Sequence, residues 1–215
     1  MMKTSEEKAY ETLKNLILDG ELPEGEFLPQ RKLAERTGTS VATVRNSLRR
    51  LEVEGLIENI PKWGVRIPKV TAERIRDRYF VRELLEVGAV ERIIEECSPK
   101  VRTRLEDFGR ICDAVSRDSK DAIKEFAEAH KNFHLAIAEF SHSPLSLDLL
   151  KQLNIKSLML RNAKYGWEQN KRTFPNSHYN LAKSIFDLNH DDAINTVREH
   201  IRNGMKNELE ALENE

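Results

Sequence analysis

Apolar residues recur at helical spacing in three segments of the first fifty-five residues. The first segment covers 4–18 and stops before Gly20, and the second covers 30–36. A turn at 37–39 follows, and the hydroxyl of Ser40 is placed to cap a third helix. The apolar stripe of that third helix consists of Val41, Val44, Leu48 and Leu51. The pattern predicts a helix-turn-helix.

The periodicity changes after Gly55. Two short extended runs are predicted at 56–57 and 65–67, and a turn-forming segment at 59–64 separates them. A β-hairpin that directly follows a helix-turn-helix is a wing. Residues 1–70 are therefore expected to form a winged helix-turn-helix domain that binds DNA.

Long helical patterns dominate the rest of the chain. Breaks at Ser98, Arg117, Ser143 and the segment 165–175 divide it into six predicted helices, at 71–97, 99–117, 119–141, 144–164, 176–189 and 190–213. We expect 71–215 to form an all-α, six-helix antiparallel bundle. The predicted fold class is mostly α, with the small hairpin as its only β structure.

Composition narrows the function classes. The 215 residues are 39% hydrophobic and 33% charged, with a net charge of −1, and no stretch approaches the roughly 18 apolar residues of a membrane span. The N-terminal residues are too polar for a secretory signal. Cys97 and Cys112 form no Cys-x-x-Cys motif, which suits buried thiols in a reducing compartment. These features predict a cytoplasmic protein without membrane contact.

Charge is unevenly distributed within the predicted DNA-binding domain. Residues 1–28 carry three basic and seven acidic side chains, whereas 29–50 carry six basic side chains and a single acid, Glu35. The positive patch lies where phosphate contact requires it. Four side chains of the third helix lie away from its apolar stripe, namely Thr43, Arg45, Asn46 and Arg49. We expect them to face the major groove, with Arg45 best suited to a bidentate guanine contact.

Residues 20–67 contain a spaced pattern of glycines, leucines and arginines. Its members are Gly20, Leu22, Gly25, Leu28, Arg31, Leu33, Ala34, Gly38, Ser40, Val44, Arg45, Leu48, Leu51, Gly55, Leu56 and Gly64. The pattern resembles the winged helix of the GntR family of bacterial transcription regulators. The resemblance implies DNA contacts from Arg31, Ser40, Thr43 and Arg45. The family usually has a second arginine directly after the serine, where this sequence has Val41.

The predicted wing tip supplies two further candidate DNA contacts, Lys62 and Gly64. Lys62 and the neighbouring Trp63 either enter the minor groove or pack against the base of the hairpin. Gly64 also suits the geometry of a tight turn, which alone accounts for a glycine there.

Four of the six histidines fall on helices that a bundle brings together. His130 and His134 are four residues apart on one helix face, and His178 and His200 lie on the last two predicted helices. Imidazole nitrogens suit Zn²⁺, Ni²⁺ or Cu²⁺ better than Mg²⁺ or Ca²⁺. The spacing alone leaves two interpretations open, a metal site and ordinary interior histidines.

A second motif widens the resemblance to nearly the whole chain. The segment His130-x-x-Phe133-His134-x-x-Ile137-Ala138, followed by His178 and His200, is similar to the FCD effector domain of the GntR family, and so is Arg82-x-x-Leu85-Glu86. In that domain an aspartate and three histidines hold a divalent metal, which implies a site at His130, His134, His178 and His200 with Zn or Ni preferred. This chain departs from the family at His130, which replaces the aspartate, and at Ser143, which replaces an asparagine.

The histidine that replaces the aspartate alters the charge of the predicted site. Four neutral imidazoles leave the full +2 of a divalent metal uncompensated, so a small organic anion is favoured as effector. The family likeness implies a carboxylate. Arg82 either clamps the far end of that anion or pairs with Glu86 one helical turn along.

The function expected from these features is that of a ligand-responsive transcription regulator and not of an enzyme. A homodimer would bind a palindromic double-stranded DNA operator, and the effector would modulate that binding. Two alternatives are a metal-dependent hydrolase and a regulator with a purely structural metal. The hydrolase is disfavoured because Lys131, Asn132 and Phe133, which separate the first two histidines, include no acidic base.

Overall fold

The computed structural model describes residues 4–96, 98–115, 121–153, 160, 163, 167 and 177–214. Two compact units divide the chain, Met1–Val70 and Thr71–Glu215.

The first unit is built on three helices, α1 (Ser5–Leu18), α2 (Gln30–Thr37) and α3 (Val41–Val53). Thr4 and Glu7 form a reciprocal capping box that fixes the start of α1. Gly38 ends α2 with φ +64°, a left-handed conformation that favours glycine. The Ser40 hydroxyl accepts a hydrogen bond from the Thr43 backbone N–H and caps α3, as the sequence predicted.

The wing is an antiparallel hairpin of β1 (Glu58–Ile60) and β2 (Gly64–Arg66). The prediction of the first extended run at 56–57 was wrong by two residues. Leu56 and Ile57 are apolar because they are buried in the core, whereas strand pairing begins at Glu58, opposite Arg66. Bridges from Glu24 and Phe27 attach the chain before α2 to the same hairpin.

A single apolar cluster joins the helices to the hairpin. Its buried members are Leu13, Leu18, Leu22, Leu28, Leu33, Ala34, Val44, Leu48, Leu51, Leu56, Ile57, Val65 and Ile67. The predicted stripe of α3 supplies three of them, and Val41 packs against the cluster while partly buried. The buried stripe turns the opposite face of α3 toward solvent.

The second unit contains six helices with described bounds. They are α4 (Ala72–Glu96), α5 (Pro99–Asp113), α6 (Ala122–Phe140), α7 (Pro144–Gln152), α8 (His178–Asp187) and α9 (His190–Glu213). Helix α4 packs against α6 and α9, and α5 packs against α6 and α8. Glu83 of α4 pairs with Arg198 and Arg202 of α9. None of the described helices is both long and apolar enough to cross a bilayer.

Two helices of this unit end before the predicted positions. Helix α5 stops at Asp113 rather than 117, and its C-cap residue is Ala114. The Asp113 carboxylate accepts hydrogen bonds from the first backbone N–H groups of α8. Helix α7 is described to Gln152, and most of the rest of the predicted helix 144–164 lies outside the described residues. Cys112 is a buried free thiol, and Cys97 lies outside the described residues.

Candidate metal centre and nucleic-acid interface

The polar face of α3 is open to solvent. Arg45, Asn46 and Arg49 are exposed and Thr43 is half-buried, while Ser47 on the other side is fully buried. Three of the four predicted groove-facing side chains are therefore available to a nucleic acid, and the fourth is partly available.

The remaining predicted DNA contacts come before and after α3 along the chain. Arg31 is exposed in the first turn of α2, and the exposed Ser40 hydroxyl also hydrogen-bonds the Thr43 hydroxyl at 2.9 Å. Lys62 is exposed at the hairpin turn with φ +69°, and Gly64 begins β2 with φ +103°. The conformation of Gly64 is one that side chains rarely adopt, which supports its role in the turn.

Other members of the basic patch have partners within the unit. The Arg50 guanidinium lies 3.8 Å from the centroid of the Tyr10 ring, and Arg36 lies 3.4 Å from a Glu21 carboxylate oxygen. Trp63 stacks on Phe27 at 5.9 Å between ring centroids yet remains 72% exposed. Arg50 and Arg36 therefore differ from Arg45 and Arg49, which form no salt bridge within the described residues.

The second unit brings the four predicted histidines together. His130 and His134 come from α6, His178 is the first residue of α8, and His200 lies in α9. One nitrogen from each ring can be chosen so that all four lie within 4.8 Å of one another. His130, His134 and His178 are buried, and His200 is half-buried.

His134 is held by a buried chain of polar groups on α4. Its Nδ1 lies 2.6 Å from Oε2 of Glu86, and the Arg82 Nε donates to the other Glu86 oxygen at 2.6 Å. Burial raises the pKa of Glu86 and the pair with Arg82 opposes that rise. With the carboxylate ionised it can only accept, which would put the His134 proton on Nδ1 and turn the Nε2 lone pair to the cluster. The Nε2 of His200 lies 3.3 Å from that atom.

His178 is held in the same way from another helix. Its Nδ1 donates to the Asp113 carboxylate at 3.0 Å, which also accepts from the backbone N–H groups of His178 and Tyr179. Burial alone would raise the pKa of Asp113, but these hydrogen bonds lower it below the ordinary value. The carboxylate stays charged, and the Nε2 of His178 is buried with no hydrogen-bond partner among the described residues.

His130 differs from its neighbours because neither ring nitrogen has a hydrogen-bond partner in the described part of the chain. Only 9% of the residue is exposed, and its ring packs on Phe126 at 5.3 Å and on His178 at 4.4 Å between centroids. A buried donor and acceptor that both lack partners cost free energy unless a ligand satisfies them.

The electrostatics of the cluster favour neutral imidazoles. Burial, followed by the neighbouring positive charges, lowers the pKa of His130, His134 and His200 well below the ordinary histidine value. Metal ligation requires unprotonated nitrogen, so these rings are in the required state at neutral pH.

The donor atoms fit a divalent transition metal. Zn–N bonds of about 2.0–2.1 Å define a tetrahedron whose nitrogens lie roughly 3.3–3.4 Å apart. The 3.3 Å separation of the His134 and His200 Nε2 atoms matches that edge. The unpartnered nitrogens of His130 and His178 supply further donors. The four histidines therefore fit the divalent transition metal that the sequence motif implies.

Arg82 satisfies one of its two predicted roles. It is 1% exposed and forms the ion pair with Glu86, while its Nη2 is buried without a hydrogen-bond partner in the described residues. The anion contact predicted for Arg82 has this one unused donor available.

The charge balance is less positive than the four imidazoles alone indicate. The carboxylates of Glu86 and Asp113 stand directly behind two of the rings. The Glu86 carboxylate pairs with Arg82, and the Asp113 carboxylate lowers the net positive charge that a bound divalent ion would bring. The sequence-based value of +2 omitted this carboxylate.

Gly109 allows α5 to approach the start of α8. A Cβ atom at this position would lie 2.8 Å from the backbone C and O of His178 and from the Cα of Tyr179. We expect Gly109→Ala to lower the free energy of unfolding by about 1–3 kcal/mol through overpacking, and to weaken Zn²⁺ binding because His178 must shift. Urea unfolding and zinc titration measure the two effects.

Gly88 provides the matched control for this prediction. It also lies in a helix, but a Cβ there would meet no heavy atom within 4 Å. Gly88→Ala is expected to be neutral or to stabilise by up to about 1 kcal/mol. Equal effects of the two substitutions would contradict a special role for the close approach at Gly109.

Family comparisons identify both units. The model of the FCD domain matches residues 77–203, and that of the bacterial regulatory proteins of the gntR family matches 5–67. The chain belongs to the GntR family, in the branch with an FCD domain. The resemblance drawn from the sequence motifs is confirmed, as is the mostly helical fold with a winged helix-turn-helix at the N-terminus. A GntR regulator is a DNA-binding transcription factor rather than an enzyme, which removes the hydrolase alternative.

One curated relative and two solved structures are similar to nearly the whole chain, and the structures show the shared fold. The chain is 26% identical to the uncharacterized HTH-type transcriptional regulator YdhC of Bacillus subtilis (strain 168) over 205 residues, which cover 95% of this chain and 91% of that protein. The solved structure of Escherichia coli McbR/YncC superposes with a TM-score of 0.73 at 20% identity, covering 95% of this chain and 97% of that one. A GntR regulator from Rhodococcus sp. RHA1 gives a TM-score of 0.74 at 17% identity, covering 97% and 99%.

Two residues of the candidate metal centre in this GntR protein were not predicted from the sequence. Asp113 was not singled out, and Glu86 was noted only as part of a motif and as a partner of Arg82. Asp113 lies 65 positions from His178, and Glu86 lies 48 positions from His134. No local spacing rule links such pairs, because helix packing alone brings them together.

Proposed function

We propose that this GntR regulator holds a divalent transition metal and a small organic anion in its FCD domain, and that the anion modulates operator binding. The observation that carries the proposal is the buried four-histidine cluster, which contains nitrogens without partners in the described residues. Burying a polar nitrogen that has neither a hydrogen bond nor a metal ligand bond destabilises the folded state.

The proposed metal ligands are His130, His134, His178 and His200. Four neutral imidazoles favour Zn²⁺ or Ni²⁺ over cations that prefer oxygen ligands. The carboxylates of Glu86 and Asp113 fix two of the rings and increase their basicity, which is the usual second-shell arrangement at metal-bound histidine.

The proposed effector is a small carboxylate. The buried Nη2 of Arg82, which has no hydrogen-bond partner among the described residues, supplies a donor for it, and a bound divalent metal would add positive charge to the histidine cluster. A sensor interpretation requires this ligand, whereas a purely structural metal does not.

We assign DNA binding to residues 1–70, and effector binding and dimerisation to residues 71–215. Operator contacts are assigned to Arg31, Ser40, Thr43, Arg45, Asn46, Arg49, Lys62 and Gly64. A homodimer would bind a palindromic operator in the cytoplasm, because two-fold protein symmetry requires two matching half-sites.

Arg45 tests the DNA-binding assignment. We expect Arg45→Ala to weaken binding to a fragment from the protein's own promoter region by about 5- to 150-fold, which corresponds to the roughly 1–3 kcal/mol of a bidentate base contact. Electrophoretic mobility shift at low salt measures the affinity. The loss should be larger on the specific fragment than on unrelated DNA of the same length.

Arg92→Ala is the matched control, because it removes one exposed positive charge from α4 in the other unit. It should leave DNA affinity within about twofold. Equal losses from the two variants would show that net charge rather than the α3 face governs binding. Absence of any shift by the wild-type protein would remove the regulator assignment for this DNA.

The sensor assignment is tested on the same fragment. The zinc-loaded protein is titrated with acetate, propionate and chloride at constant ionic strength, because these anions bind free zinc too weakly to remove it. A change of operator affinity with a carboxylate but not with chloride supports the assignment. Identical affinities under all three conditions would favour a structural metal.

A further inference from the structure

The tip of the wing carries an exposed stack of two aromatic rings. Trp63 stacks on Phe27 with 5.9 Å between ring centroids and 21° between ring planes, yet 72% of Trp63 and 38% of Phe27 remain exposed. Tryptophan is highly buried on average in folded proteins, and it is enriched at binding interfaces. The folded winged helix therefore leaves most of the Trp63 surface open to a partner.

The hairpin turn fixes the position of Trp63. Its backbone N–H donates to the Ile60 carbonyl at 3.0 Å across a turn that contains Pro61 and Lys62. The fixed φ of proline suits the second residue of such a turn, and Lys62 adopts φ +69° at the third. Backbone geometry thus places Trp63 directly before β2, which begins at Gly64.

Phe27 is held against the same hairpin by its own backbone. It forms an antiparallel bridge with Arg66, and the backbone N–H of the next residue, Leu28, donates to the Val65 carbonyl at 2.7 Å. The Arg66 guanidinium also lies 5.9 Å from the centroid of the Phe27 ring. Phe27 is therefore a fixed support for Trp63, and a tryptophan that is already stacked loses little conformational freedom on binding.

We propose that the exposed ring of Trp63 packs against deoxyribose sugars of the operator DNA, and that Phe27 is the positioning residue that holds it there. This inference rests on the operator contacts proposed for the winged helix and adds an apolar contact to them. Double-stranded DNA is the partner that fits, because the neighbouring Lys62 is exposed at the same tip and supplies a positive charge for phosphate.

The chemistry of the duplex indicates which part of it Trp63 contacts. Base faces are stacked on one another inside an intact duplex, so the sugars are the apolar surface that its backbone offers. A sugar contact carries no sequence information and requires no ionised group. It should therefore contribute to the affinity for any duplex without releasing counterions, whereas a lysine contact to phosphate releases them.

The salt dependence of DNA binding tests this distinction. We expect Trp63→Ala to weaken binding to the promoter fragment and to unrelated duplex DNA by about 10-fold, the loss that corresponds to roughly 50 Å² of apolar ring left unburied. The slope of log affinity against log salt should not change. Lys62→Asn, which keeps a residue type tolerated at positive φ, should instead reduce that slope by about 1.

Val53→Ala is the control, because it removes apolar atoms from a side chain of the same unit that is 89% exposed and lies outside the wing. It should leave DNA affinity unchanged. Unchanged affinity in Trp63→Ala, or the same change of slope in Trp63→Ala and Lys62→Asn, would overturn the apolar contact. Phe27→Leu should also weaken binding, and Phe27→Tyr, which retains a stacked ring, should bind as the wild type does. Equal losses in both Phe27 variants would overturn the positioning role.

Fluorescence tests the contact with the wing intact. The chain has two tryptophans, so Trp167→Phe leaves Trp63 as the only one. We expect the promoter fragment to shift the Trp63 emission to shorter wavelength and to reduce its quenching by acrylamide. Unrelated duplex DNA should do the same at higher concentration. A larger response to single-stranded DNA would overturn the sugar contact in favour of stacking on unpaired bases.

The same measurements separate this inference from the proposal on which it rests. Unchanged Trp63 emission while the fragment is shifted would overturn the inference and leave the contacts of α3 intact. Emission that responds to protein concentration but not to DNA would assign the aromatic stack to contact between copies of the chain, and would also overturn it. A wild-type protein that shifts no duplex DNA at low salt would overturn the proposed operator contacts, and the Trp63 contact with them.

Discussion

Saturating zinc should raise the free energy of unfolding of the FCD unit by about 4 kcal/mol, and His134→Ala should remove most of that gain. A ligand that binds only the folded state stabilises it by roughly this amount at a thousandfold excess over its dissociation constant. The metal-free cluster buries three nitrogens without partners in the described residues, on His130 and His178. Zinc supplies a partner for one nitrogen of each of these two rings, and an unsatisfied buried polar group costs about 1–3 kcal/mol.

Urea unfolding with and without zinc measures the effect. The chain has two tryptophans, Trp63 in the winged helix and Trp167 in the other unit, so Trp63→Phe leaves a fluorophore that reports the FCD unit alone. His142→Ala, which removes an exposed histidine, is the matched control and should keep the full gain. Magnesium should stabilise neither protein, because it prefers oxygen ligands.

An equal zinc effect in the wild type and in His134→Ala would place the bound metal elsewhere. An equal effect of magnesium would indicate a nonspecific contribution from exposed carboxylates. Both outcomes would contradict the four-histidine site while leaving the GntR assignment unaffected, because that assignment rests on the match over 5–67 and 77–203.

Local rules recovered most of the secondary structure. The apolar stripe of α3 and the cap at Ser40 identified the third helix because side-chain period and capping act within a few residues. The first wing strand was misplaced because Leu56 and Ile57 are apolar for burial rather than for pairing. Hydropathy indicates which residues are buried. It locates a strand only where the buried residues are also the ones that pair.

Only the proposed ligands of the candidate metal centre were predictable from the sequence. The i, i+4 spacing places His130 and His134 on one face of α6, and the family motif adds His178 and His200. The carboxylates behind them were not predictable, because Asp113 and Glu86 reach their histidines through helix packing. The structure was therefore needed to show that His134 and His178 contact carboxylates, whereas the ring nitrogens of His130 have no hydrogen-bond partner in the described residues.

Glu86→Leu is expected to lower the free energy of unfolding by about 3–5 kcal/mol, because it leaves the fully buried Arg82 guanidinium without its carboxylate partner. Burial raises the pKa of Glu86, and the positive charge of Arg82 opposes that rise. The double variant Arg82→Met with Glu86→Leu removes both charges and should recover most of the stability. Urea unfolding in the metal-free state measures these differences.

The same pair of variants separates the ion pair from the orientation of His134. Zinc affinity should fall about 10- to 100-fold in both the single and the double variant, because both lose the carboxylate that accepts from His134 Nδ1. Glu210→Ala, which breaks the exposed pair of Lys206 and Glu210, is the control and should cost less than about 1 kcal/mol. If the double variant regained zinc affinity along with stability, Glu86 would act on the metal only through the fold. Recovery of stability without recovery of zinc affinity assigns to Glu86 a direct role in setting the tautomer of His134.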